Sequence, residues 1–236
     1  ITWDVRINGS HIKNRLVTVG PATLSTAPGA RNVVGYPING LWDRPIVSFK
    51  DANGDGILTE NEIVVADSQA FRGSSLPEYE AGISNTVGLF HGALRVSALF
   101  DYRGKFFNNW GYQNQRCVST GNCRWVNDPT TSLADQAAAL MAASSSTRTL
   151  WGFFVPNDFI RFREMSATYN LPHQFSSRFL RGRETSIVVS GRNLGLVWSR
   201  YPGLDPEANS SAGSSSRDFF SEPPLRYFIG RINMAF

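Results

Sequence analysis

The chain has 236 residues, of which 42% are hydrophobic and only 18% charged, with 16 Phe, 7 Tyr and 6 Trp. Mean hydropathy is -0.21 and no run of about 18 apolar residues occurs. This excludes a helical membrane protein but not a β-barrel, whose strands alternate lipid-facing and lumen-facing residues. The net charge of +4 comes from arginines spread singly along the chain, with Lys only at 13, 50 and 105; a nucleic-acid binder would cluster its cations on one stripe.

The chain opens in a strand pattern. Ile1, Trp3, Val5 and Ile7 alternate with Thr2, Asp4, Arg6 and Asn8, a period no helix keeps. There is no start Met and no signal peptide ahead of it, so the sequence reads as part of a longer protein. After a long irregular stretch comes Asp51-Ala-Asn53-Gly-Asp55-Gly56-Ile57-Leu-Thr59-Glu-Asn-Glu62, which matches the twelve-residue calcium loop. Asp51, Asn53 and Asp55 would offer side-chain oxygens, Ile57 its carbonyl and Glu62 a bidentate carboxylate, around the turn that Gly56 permits. The flanking Ile-Val-Ser-Phe-Lys and Ile-Val-Val-Ala read as extended, so a helix–loop–helix calcium hand is not expected. An Asn-Gly-Asp-Gly turn between two short strands, with no ion, explains the same residues.

Ala81, Ile83, Val87 and Leu89, then Leu94, Val96, Ala98, Phe100 and Tyr102, predict a long hairpin closed by the turn Phe90-His91-Gly92. Cys117 and Cys123 lie in a polar loop at a spacing unlike that of zinc ligands, and a local disulfide of an oxidising compartment is predicted. Ser132 is placed to cap a short helix whose first turn holds Asp135, with an Ala-rich face for packing within the loop. Met165, Ala167, Tyr169 and Leu171 alternate with polar residues until Pro172 ends the run. Segment 185–198 reads as a strand with a bulge near Arg192-Asn193, and 209–216 is low-complexity. The chain closes on Phe228, Ile232, Met234 and Phe236 against Tyr227, Arg231, Asn233 and Ala235.

Strands of this length with one apolar and one polar face suit a tilted membrane crossing. The connections sharpen the prediction: tight or moderate turns at 90–92 and roughly 173–184 alternate with long ones at 10–77, 108–157 and 199–225. Soluble domains rarely carry several loops beyond about 15 residues, whereas barrels pair short periplasmic turns with long external loops. The fold class expected is therefore all-β, an antiparallel transmembrane barrel fragment of about six strands with long extracellular loops and one short loop helix, filling 1–236 as one unit. Because about 8 strands are needed to close a barrel, further strands are expected upstream. Arg6, Arg95, Arg103 and Arg231 fall on the polar face, which in a barrel looks into the lumen toward a plug or an anionic solute.

No catalytic set is visible. His11, His91 and His173 stand in separate turns, and the carboxylate pairs Glu60/Glu62 and Asp205/Glu207 read as solvated turns. No enzyme activity and no organic cofactor are expected. Calcium is the one cofactor expected.

The order of motifs resembles that of the SusC/RagA family of TonB-linked outer-membrane proteins. The similarity runs through Asp-Ala-Asn-Gly-Asp-Gly, Arg72-Gly-Ser-Ser-Leu-Pro77, the hairpin from Ser84 to Gly104, Phe162-Arg-Glu-Met-Ser-Ala-Thr-Tyr-Asn-Leu-Pro172, Gly191-Arg-Asn-Leu194, Tyr201-Pro-Gly-Leu-Asp-Pro-Glu207 and the ending Arg226 to Phe236. The resemblance implies a C-terminal portion of a 22-strand barrel whose plug lies upstream, in the outer membrane of a Gram-negative-type bacterium with its loops at the cell surface. It implies import of oligosaccharides or peptides, a SusD-like lipoprotein partner, drive from the TonB complex through the plug, and a terminal Phe like the signal read by the barrel-insertion machinery, with Phe228, Ile232 and Met234 completing that signal. The competing reading is a secreted β-sandwich for binding or adhesion, braced by calcium and a disulfide. The two differ in what covers the apolar face of the last strand.

Overall fold

A computed structural model describes residues 1–20, 29–180, 184–208, 217–219 and 221–235. Six long strands form one antiparallel sheet: β1 (Thr2–His11), β2 (Tyr79–Leu89), β3 (Leu94–Gly104), β4 (Phe159–Asn170), β5 (Glu184–Ser199) and β6 (Tyr227–Ala235). Their order across the sheet is their order along the chain, so every pairing joins sequence neighbours. The predicted alternation marks all six, and β4 begins earlier than the pattern from Met165 suggested. Segment 209–216 and Phe236 lie outside the described residues.

The predicted bulge is present. Opposite β4, the register of β5 slips between Gly195 and Arg192, where Asn193 takes a positive φ of 52°. Asn tolerates that conformation better than most residues because its short amide bonds locally. Against β3 the extra residue is Arg163, which stands between the pairs Phe162↔Phe100 and Glu164↔Leu99. The hairpin turn between β2 and β3 is tight, with Phe90, His91 and Gly92 all at positive φ.

Short and long connections alternate along the chain, so the three long ones, 12–78, 105–158 and 200–226, emerge at the same end of the sheet. These loops, and not the sheet, contain the densest apolar packing. The second carries α1 (Gly111–Val118), α2 (Arg124–Asn127) and α3 (Leu133–Ala143), and α4 (His173–Leu180) lies in the connection between β4 and β5. Where one loop helix was expected, the described residues hold three α-helices in the long loops and a fourth between β4 and β5. Ser132 caps α3 by accepting the Asp135 N–H at 3.2 Å, as its residue type predicts.

Helix α3 is the strut of this cap. One face (Ala138, Ala139, Ala142) packs with Phe153 against the bonded pair Cys117–Cys123. The other (Ala137, Met141) packs with Leu58 and Ile63 of the first loop. Alanines allow the close approach: a Cβ on Gly152 would lie 2.3 Å from that of Ala138. Polar ties join the loops to one another. Asp43 accepts the Leu150 N–H at 2.6 Å, and the Asn157 amide donates to the Pro206 carbonyl at 2.9 Å.

Candidate functional site

The register assigns each strand residue to a face. Trp3, Val5 and Ile7 share a face with Val87, Asn85 and Ile83, and these with Val96, Ala98 and Phe100. The face continues through Ala167, Met165 and Phe162, then Val189 and Ile187, and ends on Phe228, Ile232 and Met234. A soluble fold would cover such a stripe, since leaving an apolar side chain in water forfeits roughly 1.5–3 kcal/mol. Here it is bare: Phe228 is 73% exposed, Ile232 64% and Trp3 72%. No second sheet lies over it among the described residues. An apolar band six strands wide is the surface a bilayer covers.

The opposite face is polar and carries Arg6, Arg95, Arg103 and Arg231, as the alternation predicted. Its charges concentrate near the long-loop end. Arg161, with 2% of its side chain exposed, pairs with Asp205 at 2.5 Å and Glu207 at 2.8 Å. Arg163, turned to the same side by the bulge, pairs with Asp101 and with Glu207 at 2.9 Å. Arg103 adds contacts to Glu80 at 3.4 Å and Glu207 at 3.6 Å. Burial alone would raise the Glu207 pKa, but hydrogen bonds from Arg163 and the charges of Arg163, Arg161 and Arg103 hold it below the usual range.

This cluster corrects the reading of Asp205/Glu207 as a solvated turn: Asp205 is buried, and the pair bolts the start of the last loop to β4. It also revises the role of Arg103, which meets protein carboxylates. Alternation carried upstream from Met165 would have set Arg163 and Arg161 on the apolar face; the bulge at Arg163 moves both to the polar one, and the only local signal is Arg161 standing between Ile160 and Phe162. Nothing local marks Asp205 and Glu207 as their partners.

The calcium-like loop is the tip of a small hairpin, with Ile46–Phe49 paired to Ile63–Val65. Asp51 accepts N–H groups from Gly54 and Gly56, and Asp55 accepts that of Ile57 at 2.8 Å. Asn53 accepts the Asp55 N–H at 3.2 Å, and Glu62 folds back to accept those of Ala52 and Thr59, each at 2.8 Å. The amide of Gly56, and then of Gly54, lowers the Asp51 pKa, and those of Ala52 and Thr59 lower that of Glu62. The oxygens are thus gathered by the loop's own amides. Among the described residues no three His, Cys, Asp or Glu side chains converge as a metal cluster. His11 stacks on Tyr79 and joins no such group.

No family model matches the chain. The curated TonB-dependent receptor P3 of Formosa agariphila aligns with all of it, at 26% identity over 279 aligned positions. The chain resembles a TonB-dependent receptor from end to end. It spans only 27% of that relative's length. Solved structures give the same result for the fold. The structure of the RagAB peptide transporter superposes on 99% of the chain with a TM-score of 0.65 at 18% identity, using 27% of its own chain. The RagAB peptide importer in its open-open state gives 0.64 at 16% identity, and in its closed-closed state 0.60 at 14%, with the same coverage. The sheet therefore has the fold of a segment of these transporters' β-barrels, and the relatives it is similar to are a receptor and transporters by name.

Proposed function

We infer that the chain is part of an outer-membrane importer that takes up oligosaccharides or peptides, driven by the TonB complex and working with a SusD-like surface lipoprotein. One observation carries the reading: an apolar face open across six strands, backed by a charged inner face, in a chain similar throughout to a TonB-dependent receptor. The three long loops would face the cell exterior and the short turns the periplasm, as in barrels generally. The relatives are about four times longer, so a plug and the remaining strands belong to the same proposal, as does recognition of the last strand by the barrel-insertion machinery.

The test uses the full-length protein. It should require detergent for extraction, migrate differently before and after boiling, and support uptake only while the inner membrane is energised. Extraction into aqueous buffer as a folded monomer would reject the barrel.

We also propose that the loop Asp51–Glu62 binds calcium as a brace for the external loops. Support comes from the order of hard-oxygen residues; a carboxylate oxygen has lone pairs enough to serve both an amide and an ion. Calcium would contribute only cohesion there. Calorimetric titration with CaCl2 should show binding that Asp55→Ala removes. An equal melting temperature with calcium and with chelator would eliminate the site.

A further inference from the structure

Three strands end side by side at the loop end of the sheet, and the residues just past them are charged. Lys105 follows β3, Asp158 precedes β4 and Arg200 follows β5. We propose that Lys105 and Arg200, with Lys13 beside them, bind the headgroup phosphate of a lipid in the outer leaflet. The inference rests on the barrel reading and concerns the lipid around the protein, not the solute it carries.

The register gives these residues their place. The apolar face runs on from Phe100 to Tyr102 and from Phe162 to Ile160, and Ile160 pairs with Tyr102 on one side and Trp198 on the other. Two residues beyond these, the same face holds Gly104, Asp158 and Arg200, since side chains alternate with period two. On β2 it ends at Tyr79, which pairs with Gly104 and stacks on His11 at 4.6 Å. Gly104 is required here, because a Cβ would collide with the Tyr102 ring and hydroxyl that reach over it. Tyr79, Tyr102 and Trp198 thus form a belt of amphipathic rings, the kind that sits at headgroup level in a bilayer. Strands β3, β4 and β5 are interior to the sheet, so strands added at its edges, β1 and β6, leave this part of the face uncovered.

Beyond the belt the charges are sorted by depth. Asp158 accepts the Lys105 backbone N–H at 2.7 Å and an Arg200 guanidinium N–H at 3.0 Å. Glu78 pairs with the Lys105 ammonium, which lies 5.7 Å from the centre of the Tyr79 ring. The carboxylates are the inner members: Asp158 and Glu78 keep 12% and 18% of their side chains exposed, Arg200 and Lys105 55% and 57%. Lys13 stands at the same rim, because the neighbouring Ile12 N–H donates to the Glu78 carbonyl at 2.9 Å. Three cations therefore meet two inward carboxylates, and the surplus charge is positive and outward. Among the described residues the Arg200 guanidinium is engaged at Nη1. The rest of its fork matches two oxygens of a phosphate, and the lysines add point charges. A phosphate carried above acyl chains answers both the cations and the apolar belt. A free anion answers only the first, and a neutral lipid only the second.

The experiment strips lipid from the full-length protein in detergent and supplies either diphosphoryl lipid A or a neutral galactosyl diacylglycerol. Lipid retained after gel filtration is counted by mass spectrometry. Wild type should retain lipid A in preference to the neutral glycolipid. Lys105→Gln and Arg200→Gln should each lower that retention about fivefold, and together about 25-fold, as expected for cations beside an anionic membrane surface. Arg124→Gln, which removes an equally exposed, ion-paired cation from a loop helix, should leave it unchanged, as should an excess of inorganic phosphate. Migration before and after boiling checks that every variant is a folded barrel. Equal retention by wild type and the double variant, equal retention of the two lipids, or displacement of lipid A by inorganic phosphate overturns the lipid site while leaving the barrel intact. A protein folded in water without detergent overturns both.

Discussion

Arg161 sits almost without solvent beside two carboxylates, so its removal should be costly out of proportion to one side chain. Arg161→Met leaves Asp205 and Glu207 short of compensation in a buried setting, and breaking such a pair costs about 3–5 kcal/mol. The expected result is rapid hydrogen exchange of Tyr201–Ala208 and a lowered unfolding midpoint. Arg6→Ala, which breaks an exposed pair with Asp4, should move stability by well under about 1 kcal/mol. Acid should loosen the same segment. The Glu207 carboxyl is held below its ordinary value in the folded state, so its contribution is complete above the unfolded pKa, near about 4.3. It is lost as pH falls through the lower, folded value, while Arg161, Arg163 and Arg103 stay charged. Exchange measured against pH should therefore rise only in the acid range; a rise beginning near neutrality would assign the hold to another group.

Helix α3 shows what a local pattern can reveal and where it stops. Ser132, Asp135 and the alanine run announce a capped, tightly packed helix, and the structure contains it. Helix α1 begins at Gly111 behind Trp110, whose side chain makes no cap bond, and it is held by the disulfide and by packing; its sequence carries no start signal. Nor does a pattern disclose that Gln136 joins the first loop to the second. Its side chain accepts the Leu58 N–H at 2.9 Å and donates to the carbonyls of Gly56 and Thr131. Gln136→Leu keeps much of the volume but orphans a buried amide, for a cost of about 1–3 kcal/mol. The Leu58 amide should exchange faster and the melting temperature should drop, without loss of the α3 helix by its own amide protection. An unchanged Leu58 amide would mean the loop is held by the Ile63 and Met141 contacts alone.

Period-two alternation was enough to place six strands, their faces and their sequential order, because each pairing is with the next strand along the chain. The cap was not readable in this way, since its contacts join residues around a hundred positions apart, such as Thr149 with Arg44. What the faces mean can be decided by one pair of neighbours near the middle of β3. Ala98 lies on the bare apolar face between Asn85 and Met165, and Ser97 on the polar face between Thr86 and Ser166. An arginine on the lipid face costs about 2–4 kcal/mol at the bilayer midplane, whereas a lumen position can hydrate it. Ala98→Arg should accordingly reduce folding stability in lipid vesicles by that amount and lower the yield of the compact unboiled form. Ser97→Arg, which forfeits chiefly the 2.9 Å hydroxyl contact with Thr86, should cost no more than about 1 kcal/mol. In a sheet with water on both faces the two arginines would reach solvent from a half-exposed strand and the two variants would behave alike. An equal loss from the two substitutions would thus remove the bilayer from the outer face, and an unequal one in the stated direction shows that face to be covered, by lipid where the protein also needs detergent to be extracted.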